Sequence, residues 1–277
     1  MARSRTIVLT GATGFVGRQI LRDLITRGER VRVVVRDRAR LTAGNDTALV
    51  EVLETPDLFA ETGERLEAFL ADADLLVHAA WYAEPGKYLT SPLNLHCLEG
   101  TLRLAQAFCR AGGKRFVGLG TCAEYDFSGE VLTEETPLKP TTLYAACKAS
   151  VFQVLSHLLG AEGVEFGWCR LFYLHGEGED ERRLVPYVRK QLQAGEPALL
   201  STGLQVRDFI NVVDAARMIV DFSLDSLCGA ANICTGIPMT VRELAEQIAD
   251  EYGRRDLLRF GERPDNLFDP PMVVGKP

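Results

Sequence analysis

Tyr144 and Lys148 stand four residues apart in Tyr144-Ala145-Ala146-Cys147-Lys148, shortly after Pro140, where the pattern opens a helix. That spacing places both side chains on one helical face. A free tyrosine titrates near pH 10 and is a poor base at neutral pH. A lysine cation one turn away favours the phenolate and is expected to lower that value. Such a tyrosine exchanges a proton with a hydroxyl or carbonyl while hydride moves to or from the adjacent carbon. The spacing alone occurs by chance in many helices. It gains force from Gly120-Thr121-Cys122-Ala123-Glu124-Tyr125, at the end of a predicted strand, where the Thr121 hydroxyl can reach the same oxygen.

A second constellation supplies a partner for that chemistry. Gly11, Gly14 and Gly17 lie between the β-branched run Thr6-Ile7-Val8-Leu9 and an apolar helical repeat at Ile20, Leu21, Leu24 and Ile25. In this strand–turn–helix context, Gly11 permits the tight turn. Gly14 lets a pyrophosphate approach the backbone, and Gly17 lets helix pack on strand. The helix N-terminus offers its free N–H groups to the phosphates, so a dinucleotide cofactor is expected. The second strand ends Val33-Val34-Val35-Arg36-Asp37-Arg38. An acid at its end would take the ribose 2′-hydroxyl of NAD, whereas arginine suits a 2′-phosphate. With Val35 in the acid's place and Arg36 next, NADP(H) is expected over NAD(H). The alternative is that Arg36 stays solvated and Asp37 takes the 2′-hydroxyl.

The elements that must position these residues alternate regularly. Strands are predicted at Thr6–Leu9, Val31–Val35, Ala48–Leu53, Leu75–His78, Arg115–Leu119 and Glu165–Arg170. Helices follow through Ile20–Ile25 (stopped by Gly28), Leu66–Leu70, about Leu93–Ala111 and about Thr142–Leu159. Near-continuous apolar strands alternating with helices predict an α/β fold: a Rossmann-type, doubly wound parallel sheet. Beyond Gly176 the rhythm loosens into a charged segment and helix (Glu179–Gly195), short strands near Leu199 and Val206–Phe209, and helices near Val213–Phe222 and Thr240–Tyr252. Residues 1–173 are expected to form the dinucleotide-binding domain and 174–277 a smaller substrate-binding lobe. Segments near 206–235 are expected to return to the first domain.

Bulk properties narrow the partners. A net charge of −7 over 277 residues, with pI near 5.3, argues against nucleic acid and anionic membrane surfaces. No apolar run approaches a membrane span, and the basic start Met1-Ala2-Arg3-Ser4-Arg5 precedes too short an apolar stretch for a leader. Seven scattered cysteines without a CxxC pair fit free thiols in a reducing cytoplasm. With four dispersed histidines, no metal site is expected.

Taken together, Thr10-Gly11-Ala12-Thr13-Gly14-Phe15-Val16-Gly17, His78-Ala79-Ala80, Thr121 with Tyr125, Tyr144 with Lys148, Arg170, Val206-Arg207-Asp208-Phe209 and Asn232–Gly236 resemble the extended short-chain dehydrogenase/reductases of the nucleotide-sugar epimerase/dehydratase type. The resemblance implies that Thr121 binds the reacting oxygen and Tyr144 is the acid/base. Lys148 would tune Tyr144 and hold the nicotinamide ribose. Thr13, Phe15, Val16, Ala79 and Ala80 would line the cofactor channel, and Arg207 would meet a phosphate of a nucleoside-diphosphate sugar, unless it is a structural ion pair. Trp81, at the mouth of the cleft, would stack on sugar or base, or pack the cap.

Departures from the family pattern narrow the reaction. Dehydratases carry Asp-Glu directly after the hydroxyl residue, where this chain has Cys122 and Ala123, so dehydration is not expected. The epimerising cysteine of one branch sits two places after that residue; Cys122 sits one place after Thr121 and is read as a packed thiol. Tyr173 and Cys97 replace two asparagines frequent in the family; Tyr173 is expected at the substrate. The chain ends sooner than the family's usual length, which predicts the absence of a final helix. An NADPH-dependent reductase of a keto group on a nucleotide-linked deoxysugar is the leading expectation. A redox-neutral, NAD-dependent C4 epimerase is the alternative, and a non-catalytic NADP(H) sensor the third. A homodimer through the helices at 93–111 and 142–159 is expected from the relatives.

Overall fold

The structure is a computed structural model, and it describes residues 5–41, 49–129, 131–265 and 269–277. Strands β1 (Thr6–Thr10), β2 (Arg30–Val35), β3 (Val50–Glu54), β4 (Leu75–His78), β5 (Arg115–Thr121) and β6 (Glu165–Leu171) pair in parallel. The expected strand beginning at Ala48, and the basic start at residues 1–4, fall outside the described residues; within them, β3 begins at Val50.

Successive strand side chains point to opposite faces, and two cores result. Ile7, Leu9, Val33 and Val77 pack under α1 (Phe15–Thr26) and α6 (Val212–Leu224). Val8, Val34, Leu76 and Phe116 pack under α2 (Gly63–Leu70), α3 (Leu93–Arg110) and α4 (Leu143–Ala161). The inner strands thus bury both faces, which explains their unbroken apolar runs, whereas the edge strand β3 leaves Glu51 and Glu54 exposed. Gly28, with φ +77°, takes the left-handed turn that ends the first helix region.

The seventh strand, β10 (Gly229–Ile233), joins β6 at the edge, giving the order β10-β6-β5-β4-β1-β2-β3. It starts three residues before the Asn232–Gly236 segment read from sequence and takes in Asn232 and Ile233, with the turn following where expected. Residues Val206–Asn211 do not join this sheet. They form β9 of a separate sheet with β7 (Tyr173–His175), β11 (Pro238–Thr240) and β13 (Met272–Val273). Helices α5 (Leu184–Ala194) and α7 (Val241–Tyr252) pack with β8 (Ala198–Leu200) and β12 (Leu258–Phe260) around Val188, Leu192, Ala245 and Ile248. Strands of two or three residues carry no readable periodicity, which is why β7, β11, β12 and β13 were not predicted.

Chain order reverses between β1 and β4: the path runs outward through β2 and β3, then crosses back. The loops leaving β1 and β4 diverge there and open a crevice at the carboxyl edge, where ligands bind in such sheets.

Candidate active site

A cleft of about 570 Å³ occupies that crevice, lined among others by Gly11, Thr13, Gly14, Arg36, Ala80 and Trp81. Its volume lies within the range of small-molecule sites. The glycine turn is sterically committed. Gly11 has φ +74°, and a Cβ there would lie 2.7 Å from the Ala79 carbonyl carbon. A Cβ on Gly17 would lie 2.1 Å from the Gly11 carbonyl oxygen, so the helix could not approach the strand. Gly14 N-caps α1 without a side-chain cap, and no acid stands in the first turn. Its first N–H groups are left for an anionic ligand. Phe15 opens α1, and Val16 packs on the core beneath it. The turn, the missing cap and the cleft together fit a dinucleotide.

At the end of β2, Arg36 is exposed and lines the cleft, as does Arg40. The Asp37 carboxylate accepts from the Ala39 N–H at 2.9 Å and caps the short 3₁₀ turn at Arg38–Arg40. That bond ties one oxygen of the exposed Asp37 carboxylate to the turn.

The cleft wall is fixed by a buried histidine. His78 Nδ1 lies 2.8 Å from the Thr10 hydroxyl, and Nε2 lies 2.9 Å from that of Thr101. Thr101 donates its proton to the Cys97 carbonyl, so His78 Nε2–H donates and Nδ1 accepts from Thr10. Thr10 in turn accepts from the Ala80 N–H, fixing the channel backbone. Burial, aided by the charge of Lys148, pushes His78 from its ordinary 6.5 down to about 3. The folded state therefore binds fewer protons than the unfolded chain between those values, and stability falls as pH falls through that window. The slope is expected to reach about 1.4 kcal/mol per pH unit. Urea titrations at stepped pH should show that one-proton slope reduced in His78→Gln; an equal slope in both proteins would overturn the assignment.

Thr121 ends β5, and Tyr144 sits in the first turn of α4, whose N-terminus is capped by the Thr142 side chain on the Ala145 N–H at 3.2 Å. The Tyr144 N–H donates to the Leu89 carbonyl, and its ring meets Tyr88 edge-on with centroids 4.8 Å apart. The Thr121 side chain is among the groups that act on the Tyr144 phenol, favouring its ionised form, so the two groups read from sequence lie close together.

Lys148 behaves differently from the expectation. Its ammonium donates to the Leu119 carbonyl at 2.6 Å and lies 3.8 Å from the centre of the Trp81 ring. Burial is the largest influence on both groups. It raises Tyr144 above its ordinary value, with the neighbouring Tyr88 adding to the effect, and lowers Lys148 to about 7. The expected lowering of Tyr144 by lysine is not found, because desolvation of the phenolate dominates.

A buried polar network, unread from sequence, holds this floor. Glu124 is fully buried. It accepts from the Thr121 N–H at 2.9 Å, from Trp168 Nε1 at 3.1 Å and from Arg170 Nε at 2.9 Å. Arg170 also donates to the Tyr125 hydroxyl, which donates to Asn232 Oδ1 at 2.8 Å. Asn232 Nδ2 reaches the carbonyls of Leu132 and Lys276, tying Thr121 to the last residues of the chain. The available signal was Glu124 three residues after Thr121, the spacing of a capping box at the turn that follows β5.

Arg207 is 3% exposed and lies over the Tyr173 ring at 5.1 Å. It donates to its neighbour's carbonyl, on Val206, and faces Asp269 at 3.8 Å, so it does have an acidic partner. Its charge also reaches Cys122, whose buried thiol is pushed up to about 12, chiefly by desolvation. Asp208 accepts from the N–H groups of Thr235 and Gly236, both at 2.8 Å, joining β9 to the turn after β10. The cysteines described are free thiols, and no three His, Cys, Asp or Glu side chains converge to hold a metal among the described residues. No described helix is long and apolar enough to cross a membrane.

Residues 7–225 match the profile of the NAD dependent epimerase/dehydratase family. The dTDP-6-deoxy-L-talose 4-dehydrogenase (NAD(+)) of Aggregatibacter actinomycetemcomitans is 22% identical over 271 residues, covering 97% of this chain and 98% of that one. The dTDP-glucose 4,6-dehydratase of Streptomyces griseus is 29% identical over 89% of this chain and 78% of its own length. Among solved structures, the UDP-N-acetylglucosamine 4-epimerase from Methanobrevibacter ruminantium M1, in complex with UDP-N-acetylmuramic acid, superposes with a TM-score of 0.88. It is 25% identical and covers 99% of this chain and 89% of its own.

Proposed function

We propose a specific reaction for this chain, which belongs to the NAD dependent epimerase/dehydratase family and is an enzyme of the short-chain dehydrogenase/reductase type: reduction of a keto group on a nucleotide-linked deoxysugar, with NADPH. The observation that carries this reading is the set around Thr121. Tyr144 offers one exchangeable proton beside the Thr121 hydroxyl. Cys122 and Ala123 supply no second acid, since one is a buried thiol pushed up to about 12 and the other is an alanine. Reduction needs one proton; elimination needs two proton transfers.

When bound, the nicotinamide supplies the hydride to the carbonyl carbon. Thr121 donates a hydrogen bond to the carbonyl oxygen and orients it. Tyr144 gives its proton to that oxygen as negative charge develops there, and burial favours the neutral phenol that can do so. A full-length relative named as a dTDP-deoxysugar 4-dehydrogenase supports the substrate class.

One relative's name carries NAD(+), so the preference for NADP(H) rests on this chain's own β2 end: Arg36 and Arg40 at the cleft, with one Asp37 oxygen capping the turn. Charge-assisted hydrogen bonds of this kind contribute about 1.5–3 kcal/mol. Arg36→Ala is therefore expected to weaken NADPH binding about 10- to 100-fold and to leave NADH binding unchanged. The test is a fluorescence titration with both dinucleotides, after identifying any nucleotide released on denaturation, followed by oxidation of dTDP-6-deoxy-L-talose with NADP⁺. Tightly retained NAD, with no effect of Arg36→Ala, would replace the reductase reading with that of a C4 epimerase.

A further inference from the structure

Lys148 is 4% exposed, one helical turn from Tyr144 and behind Trp81, which lines the cleft. What covers it is Trp81, whose ring face lies 3.8 Å from the ammonium. The indole is held in that orientation from its edge: Nε1 donates to Asn94 Oδ1 at 2.8 Å. Asn94 is fully buried, and its own amide donates to the carbonyls of Tyr88 and Ser91, so the acceptor cannot turn away. Trp168 lies farther off, 5.8 Å from the ammonium. The ammonium's hydrogen bond goes to the Leu119 carbonyl at 2.6 Å, two residues before Thr121.

We propose that Trp81 is a positioning residue for Lys148: its indole face, locked by Asn94, holds the ammonium on the Leu119 carbonyl and stabilises its charged form beneath Tyr144. The catalytic consequence rests on reading Tyr144 and Lys148 as the acid/base pair; the contact itself does not.

Elementary electrostatics supports the assignment. The negative face of an indole attracts a cation most strongly where water is excluded, and here burial has already lowered Lys148 to about 7. The titratable groups that influence or feel this cation are Glu124 and Cys97, which favour its charge, and His78, whose own protonation it opposes. Glu124 spends both carboxylate oxygens on Trp168 and also binds Thr121 and Arg170. After the Leu119 carbonyl at 2.6 Å, the Trp81 ring at 3.8 Å is the next group that favours the cation.

The experiment follows the ¹⁵Nζ resonance of Lys148 with pH in lysine-labelled protein, assigned by its loss in Lys148→Met. Its midpoint is expected near neutrality in the parent. In Trp81→Phe, which keeps a π face, the midpoint should stay close to the parent's. In Trp81→Leu, which keeps apolar cover without a π face, it should fall by about one pH unit. An unchanged or raised midpoint in a folded Trp81→Leu protein overturns the proposal and leaves Trp81 to substrate stacking. If Trp81→Leu does not fold, Trp81→Met takes its place as the cover without a π face, with the same fall expected and an unchanged or raised midpoint overturning the proposal. The readout needs no substrate, so failure of the reductase reading would leave it standing, and its own failure would leave that reading untouched.

Discussion

Tyr144→Phe is expected to lower kcat by about 10²–10⁴-fold, the usual contribution of a positioned acid/base, while leaving dinucleotide affinity unchanged. The substitution removes one oxygen. The Tyr144 N–H still reaches the Leu89 carbonyl, and the ring still meets Tyr88 edge-on. What disappears is the hydroxyl near Thr121 and the proton it would deliver. Because burial holds Tyr144 above its ordinary value, the phenol stays protonated throughout the neutral range. Reduction, which consumes that proton, should be insensitive to Tyr144 ionisation there, whereas oxidation of the alcohol should accelerate as pH rises. Steady-state rates in both directions, beside a dinucleotide titration, test this. If Tyr144→Phe leaves turnover intact, Tyr144 is not the acid. If no substrate is turned over by the parent while NADPH still binds, the sensor reading gains.

Glu124→Ala is expected to cost about 3–5 kcal/mol of folding stability, the price of orphaning one member of a buried ion pair. Arg170 is 1% exposed, so without Glu124 its guanidinium would keep only the Tyr125 hydroxyl and the faces of Tyr125 and Phe152. The Trp168 and Thr121 N–H groups would also lose their acceptor. Replacing both charges, as in Glu124→Met with Arg170→Met, should recover part of the loss because no charge remains unpaired. Recovery will be incomplete, since the two N–H groups stay unsatisfied. Urea unfolding of the two single variants and the double variant measures this. A single-variant loss no larger than that of an exposed ion pair, under about 1 kcal/mol, would mean that water relaxes into the site. Thr121 should be displaced as well, so the surviving folded fraction of Glu124→Ala is expected to be slow in catalysis.

The glycine turn and the one-turn spacing of Tyr144 and Lys148 were legible because their geometry is local. Gly11, Gly14 and Gly17 interact across six residues, and the clash that forbids a side chain at Gly17 is with Gly11 itself. The helical spacing of Tyr144 and Lys148 holds in any α-helix, and the alternating apolar runs fix a covered parallel sheet before any contact is known. The segment Val206–Phe209 was recognisable as a strand, but a strand's partner is not written in its own residues. Only the assembled chain places it beside β7, β11 and β13, away from the large sheet.

The electrostatics of the site were decided entirely by tertiary structure. One helical turn says that Lys148 is near Tyr144, but not that its ammonium turns to Leu119 and to an indole 67 positions earlier in the chain. Sequence predicted a lowered tyrosine because opposite charges attract at short range. The fold reversed that sign because desolvation, which depends on everything packed around the ring, outweighs a single neighbour whose own charge is weakened by burial. Glu124 was invisible as a functional residue for the same reason. Its partners Trp168, Arg170 and, through Tyr125, Asn232 are distant in sequence and converge on Thr121 only when β5, β6 and β10 lie side by side. Local spacing determined which chemical groups this protein brings to its cleft; long-range packing determined which of them carry charge, and in which direction each one points.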